Sequence, residues 1–321
     1  MRRPDFFIVG AVRSGTTAMK EYLQEHPEVF MPPINLEPRF FGSDFPGPRR
    51  FRDERSYLSL FAWARHERRV GEKSTHYLYS ERAAAEIKAF QPSARIIIML
   101  RNPVDAIYSL HGVRLYYGHE SIADFESALE AEDGPRRNDD PRVGVRPKDG
   151  GSFNYRDKVT YTRQVRRFFE TFGPEKVHVI IFDEFIGDTA GVYRDTLRFL
   201  DVSPRFQPVF RKVNASRRAR SRAVGRLLSN PPQALLKFAL RALPYGVLHG
   251  LLQGAAHLNR SYEPLPPLGA DLRRHLQAEF LQEVERLSEL LGRDLTHWCR
   301  AEAEAAHQGV DAAAESLEQR E

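Results

Sequence analysis

Cysteine is nearly missing from this chain. Cys299 is the single one among 321 residues, which rules out an intramolecular disulfide. The eleven histidines are scattered, so no zinc-like ligand cluster and no resident metal is expected. Also lacking is any run of the ~20 apolar residues that span a bilayer. Lys237, Arg241 and His249 interrupt the most apolar stretch. The opening MRRPDFFIVG leads straight into an apolar strand, with no signal-peptide core or cleavage site, and the chain reads as cytoplasmic. Asp and Glu are absent from Val202 to Tyr262, a stretch holding eleven Lys and Arg, whereas Ala301–Glu321 carries six acids and one base. The formal net charge of +5 thus comes from one internal segment, and its partner is expected to be anionic.

What is present is an alternation of strands and helices. Hydrophobic residues make up 41% of the chain, enough to bury a sizeable core. Phe6–Val9 is a short apolar run closed by Gly10, followed by a Gly/Ser/Thr loop. A helix is expected over Thr16–Glu25, where Met19, Tyr22 and Leu23 share a face. Arg95–Leu100 (RIIIML), with three successive β-branched Ile, is a continuous run as in a strand buried on both faces, and a helix follows from about Val104. Val177–Phe182 is a third strand, with Val192–Leu200 the helix after it. Such alternation predicts an α/β fold of three layers, a parallel sheet flanked by helices. One domain spans residues 1–300. Within it, 202–262 is a basic, partly amphipathic helical cap, Gly134–Phe153 is a loop, and Leu272–Leu291 is a helix stopped by Gly292. Residues 301–321 form an acidic, frayed tail.

Gly10-Ala-Val-Arg-Ser-Gly-Thr-Thr17 has the outline of a phosphate loop between strand and helix. Backbone N–H groups around Gly15, the hydroxyls of Ser14, Thr16 and Thr17, and the Arg13 cation could hold an anion there. The lysine of a Walker loop would stand where this chain has Thr16, which weakens a kinase or ATPase reading. A second element lies at Arg101, at the end of the RIIIML strand, with Ser109 eight residues on. An Arg fork and a nearby hydroxyl suit a second phosphate, so the ligand would carry two.

With these two elements in this order the sequence resembles the sulfotransferases that use 3′-phosphoadenosine 5′-phosphosulfate (PAPS). Ala11–Thr17 (AVRSGTT) resembles their 5′-phosphosulfate loop and Arg101–Ser109 (RNPVDAIYS) their 3′-phosphate element. The likeness runs over roughly Pro4–Leu200. It implies PAPS as donor cosubstrate, no metal, and a glycan, lipid-linked or small-molecule acceptor. Asn35–Phe41 (NLEPRFF) resembles the segment bearing the catalytic Glu of the heparan-sulfate-type branch, which makes Glu37 the implied base. Burial beside Phe40 and Phe41 is expected to raise its pKa. Gly71–Leu78 (GEKSTHYL) resembles the segment whose Lys faces the reacting centre, hence Lys73, and His76 stands as rival base. Arg13 replaces the Lys of many members. The family's basic stretch over the 3′-phosphate corresponds to Val213–Arg222, where Arg218, Arg220 or Arg222 would meet the donor, Arg220 being the candidate carried forward.

Two other classes stay open at this level. One is a phosphotransferase with a P-loop-like site. The other is a protein whose basic segment binds nucleic acid or a membrane surface. Arg211–Arg226 lacks interleaved aromatics, so nucleic acid is not the expected partner, while Leu227–Leu258 suits either a cap over the acceptor pocket or peripheral membrane contact.

Overall fold

A computed structural model describes residues 2–33, 37–45, 51, 53–117, 119–132, 154–210, 218–219, 247, 250–251, 254–255, 260–261 and 266–300. The acidic tail, the loop Gly134–Phe153, Arg220 and most of the basic segment lie outside those residues.

Five strands form one sheet: β1 (Phe6–Gly10), β2 (Val29–Phe30), β3 (Arg69–Lys73), β4 (Arg95–Leu100) and β5 (Val177–Ile181). Their order is β2-β3-β1-β4-β5, and each paired neighbour is parallel. β1, and β4 after Arg95, are apolar, and both of their faces are covered. Phe7, Val9, Ile96 and Ile98 point into one core, and Phe6, Ile8, Ile97 and Met99 into the other. This is the period-2 alternation of a pleated strand used twice over.

The helices divide accordingly. α1 (Thr16–Glu25) sends Ala18, Met19, Tyr22 and Leu23 into the core shared with Phe6 and Ile8. On the other face lie α3 (Ala83–Phe90), α4 (Pro103–Tyr117) and α6 (Tyr161–Phe172), beyond the short helices α2 (Glu54–Leu58) and α5 (Phe125–Glu130). α7 (Phe182–Gly187) and α8 (Thr189–Phe199) follow β5, and Phe185, Tyr193 and Leu197 join the α1 side. The last helix, α9 (Ala270–Leu291), lays Leu276, Phe280, Val284 and Leu287 on the α6 side and ends on Gly292 at φ 62°, a left-handed stop. The expected three-layer α/β architecture is thus present, with Phe182 opening α7 and not closing β5. Among the described residues no helix is long and apolar enough to cross a membrane.

Candidate active site

In parallel sheets of this kind ligands sit beyond the carboxyl ends of the strands. Three such ends adjoin here, those of β3, β1 and β4. Ser74 N donates to Ile8 O at 3.1 Å and Ala11 N to Met99 O at 2.6 Å, so the loops leaving these strands are stitched together.

The loop after β1 turns into α1 through Arg13 at φ 62° and Gly15 at φ 83°, both left-handed. Gly15 is the N-cap of α1, and the helix begins on Thr16 and Thr17 with their N–H groups facing the loop. A Cβ at Gly15 would press on the Phe182 ring at 3.0 Å, which argues for glycine there beyond the backbone angle. Ser14 and Thr16 are buried.

Arg13 Nε donates to Ser109 Oγ on α4 at 2.8 Å, and Arg101 Nη1 donates to the carbonyl of Arg13 at 3.3 Å. Arg101 also lies over the ring of Phe182, 4.8 Å from its centroid. The two elements singled out from the sequence therefore form one contiguous cationic and hydroxyl-bearing face. Tyr161, at the start of α6, is buried against it; its hydroxyl lies close to Ser14 and Arg101 without an aligned hydrogen-bond partner among the described residues.

A second cluster stands at the end of β3. Glu37 Oε1 lies 3.0 Å from Lys73 Nζ and accepts from Thr75 Oγ1 at 2.7 Å. Glu37 Oε2 meets His76 Nδ1 at 3.0 Å and Arg39 Nε at 3.5 Å. The expectation of a raised Glu37 pKa is overturned. Burial does push it up, but Lys73, the His76 hydrogen bond and Arg39 outweigh that and hold the carboxyl well below the usual carboxylate range. His76 is shifted down, first by burial and then by Arg39, which favours the neutral imidazole. Since an ionised carboxylate can only accept, Nδ1 carries the proton toward Glu37 and Nε2 keeps the lone pair.

Between the clusters lies a small cavity lined by Ala11, Val12, Thr75, His76, Lys158 and Gln164, among others. Lys158, buried with its ammonium 4.3 Å from the centroid of the Tyr79 ring, escaped the sequence reading, as did the rings of Phe45 and Tyr79, which stack at 6.1 Å beside His76. A short 3-10 turn (Arg156–Val159) delivers Lys158, and such turns leave no periodic signal.

A sulfotransferase domain model matches residues 3–217. The chain belongs to the sulfotransferase family. A solved sulfotransferase from Alicyclobacillus acidocaldarius is 31% identical, with a TM-score of 0.67 over 94% of this chain and 100% of that one. The human bifunctional heparan sulfate N-deacetylase/N-sulfotransferase 3 is 24% identical over 64% of this chain and 23% of its own length. Human carbohydrate sulfotransferase 15 is 31% identical over 40% of this chain and 30% of its own. The chain therefore spans about a quarter of the length of these curated relatives.

Proposed function

We propose that this sulfotransferase moves the sulfuryl group of PAPS to a hydroxyl or amine of a carbohydrate acceptor, releasing adenosine 3′,5′-bisphosphate. The observation that carries the reading is the meeting of Arg13, Arg101 and Ser109 beside the Glu37–Lys73 pair at the ends of adjacent parallel strands. Two cations and a hydroxyl suit a ligand with two phosphates, and the helix N-terminus after Gly15 adds N–H donors. The carbohydrate acceptor is supported by the relatives, which are named for heparan sulfate and carbohydrate.

In this mechanism Arg13 and the N–H groups at Thr16 and Thr17 hold the 5′ end of the donor, and Arg101 with Ser109 holds its 3′-phosphate. Lys73 faces the sulfuryl oxygens and the bridging oxygen and offsets the charge that builds as the S–O bond to the phosphate breaks. Glu37 takes the proton from the acceptor as the acceptor oxygen or nitrogen bonds to sulfur. Lys73 is common to both tasks: as it turns from Glu37 toward the donor, the cation that most suppresses the carboxyl pKa leaves, and Glu37 becomes a better base.

One observation favours His76 as the base instead. Its neutral ring is oriented by Glu37 through Nδ1, the arrangement in which a carboxylate serves an imidazole. Two variants separate these readings. Glu37→Gln is expected to lower kcat by roughly 10²–10⁴-fold with adenosine 3′,5′-bisphosphate affinity unchanged. If His76→Ala loses turnover as fully as Glu37→Gln does, the proton goes to His76 with Glu37 orienting the ring; if His76→Ala keeps near-normal turnover, Glu37 is the base. Adenosine 3′,5′-bisphosphate is expected to raise the melting temperature, and Mg²⁺-ATP is not. Stabilisation by Mg²⁺-ATP alone would return the phosphotransferase reading.

A further inference from the structure

Glu72 is fully buried on β3, next to Lys73, and its carboxyl takes no part in the chemistry above. A buried carboxyl is costly unless its oxygens are satisfied. Here Ser74 Oγ donates to Oε1 at 2.7 Å, the Tyr57 hydroxyl donates to Oε2 in a close contact, and the Tyr77 hydroxyl also reaches the carboxyl. Burial, with the like charge of Glu37 adding to it, pushes the Glu72 carboxyl up to about 7 against these hydrogen bonds.

Each of the three hydroxyl-bearing residues also grips the segment that follows Glu37. Ser74 Oγ accepts from the N–H of Arg39 at 3.1 Å. The Tyr77 hydroxyl accepts from the N–H of Phe40 at 2.9 Å and of Phe41 at 3.4 Å. The Tyr57 ring stacks on Phe40 with centroids 4.3 Å apart and planes 5° off parallel. The gripped turn is strained, because Arg39 holds φ 50°, a left-handed angle at which a residue bearing a Cβ is disfavoured. Such a conformation persists only where its surroundings over-determine it. Three independent grips converging on one buried carboxyl provide that.

We propose that Glu72 is a positioning residue. Through Ser74, Tyr77 and Tyr57 it clamps the turn at 39–41 and so fixes the Glu37 carboxylate against Lys73 and His76. The catalytic half of this inference rests on the proposed role of Glu37; the clamp itself does not. The Glu72 carboxyl is fully buried and enclosed by Tyr57, Ser74 and Tyr77, so its loss acts on Glu37 through the backbone of 39–41.

The test is hydrogen exchange followed by mass spectrometry, alongside steady-state kinetics, on the full chain carrying Glu72→Gln and, separately, Ser74→Ala. Ser74→Ala cuts one grip and leaves the buried carboxyl in place, so it serves even where Glu72→Gln folds poorly. Peptides over 37–41 are expected to exchange faster while those of β1 and β4 are unchanged. The expected kcat falls by about 10²-fold, the scale of a 1 Å misplacement, with KM for donor and affinity for adenosine 3′,5′-bisphosphate within about twofold. In a Glu37→Gln background Glu72→Gln is expected to lower kcat no further. Unaltered exchange at 37–41 in both variants overturns the clamp, and so does faster exchange spread evenly through the sheet. Faster exchange at 37–41 with a turnover that Glu37→Gln itself barely lowers keeps the clamp and removes Glu37 as the base.

Discussion

Arg13 Nε and Ser109 Oγ meet at 2.8 Å although 96 residues separate them in the chain. The contact exists because β1 and β4 are neighbours, so the loop opening α1 and the second turn of α4 emerge side by side. Arg13 is held to this place by two further constraints, its left-handed backbone and the bond from Arg101 to its carbonyl. A cation fixed in this way is pre-organised for an anion and loses little freedom on binding one.

Arg101→Ala and Ser109→Ala are expected to weaken adenosine 3′,5′-bisphosphate binding to different degrees. A hydrogen bond to a charged group contributes about 1.5–3 kcal/mol, so losing the Arg101 fork corresponds to roughly 10–150-fold in Kd. Ser109 offers one hydrogen bond to the same phosphate where the Arg101 fork offers more than one, so its removal falls at the lower end of that range, about tenfold. Isothermal titration calorimetry gives both values. Equal, unaltered affinities in the two variants would place the bisphosphate away from this face.

Gly71→Ala is expected to destabilise the fold and slow turnover together. A methyl group at this position on β3 would collide with the ring of Phe6 and the sulfur of Met31, both fully buried. Overpacking of a filled core costs about 1–3 kcal/mol. The strand cannot give way without shifting Glu72 and Lys73, the next two residues. Urea denaturation together with kcat measures the pair of effects. A loss of stability with undiminished kcat would mean that β3 yields on its α1 side only.

The same glycine explains why β3 was not legible as a strand in the sequence. RVGEK carries no apolar run, and its Glu-Lys pair looks solvated, yet four of its five residues are buried. Their polar atoms are satisfied by Tyr57, Ser74 and Glu37, partners 15 and 36 residues away or lying just past the strand. β1 and β4 were legible because both faces bury hydrocarbon, and α1 because its apolar residues keep a helical period. Glu37, Lys73 and His76 could be picked out as a group from the motifs around them. The direction of the Glu37 shift could not: Phe40 and Phe41 are visible beside it in sequence, whereas Lys73 comes from the end of β3 and His76 from the loop after it. Tyr57 lies in a helix of five residues, too short to show a period.

Lys20 makes stability depend on pH in a direction that can be fixed in advance. It is 3% exposed on α1, where Nζ donates to Gln24 Oε1 at 2.6 Å. Burial, opposed by Glu21 and reinforced by the charge of Lys73, brings its pKa down to about 7 from 10.5. Between these two values the unfolded chain binds a proton at this site and the folded chain does not, so stability rises with pH across that window. Below about pH 7 the folded chain must bury the ammonium, and the cost is present in full. Lys20→Met keeps the length of the side chain and removes the charge. Chemical denaturation at pH 6, 7.5 and 9 is expected to find the variant more stable than the parent at pH 6, with the advantage shrinking as the pH rises. A constant difference at all three values would mean that the protonation of Lys20 is the same in the folded and unfolded chain throughout that range.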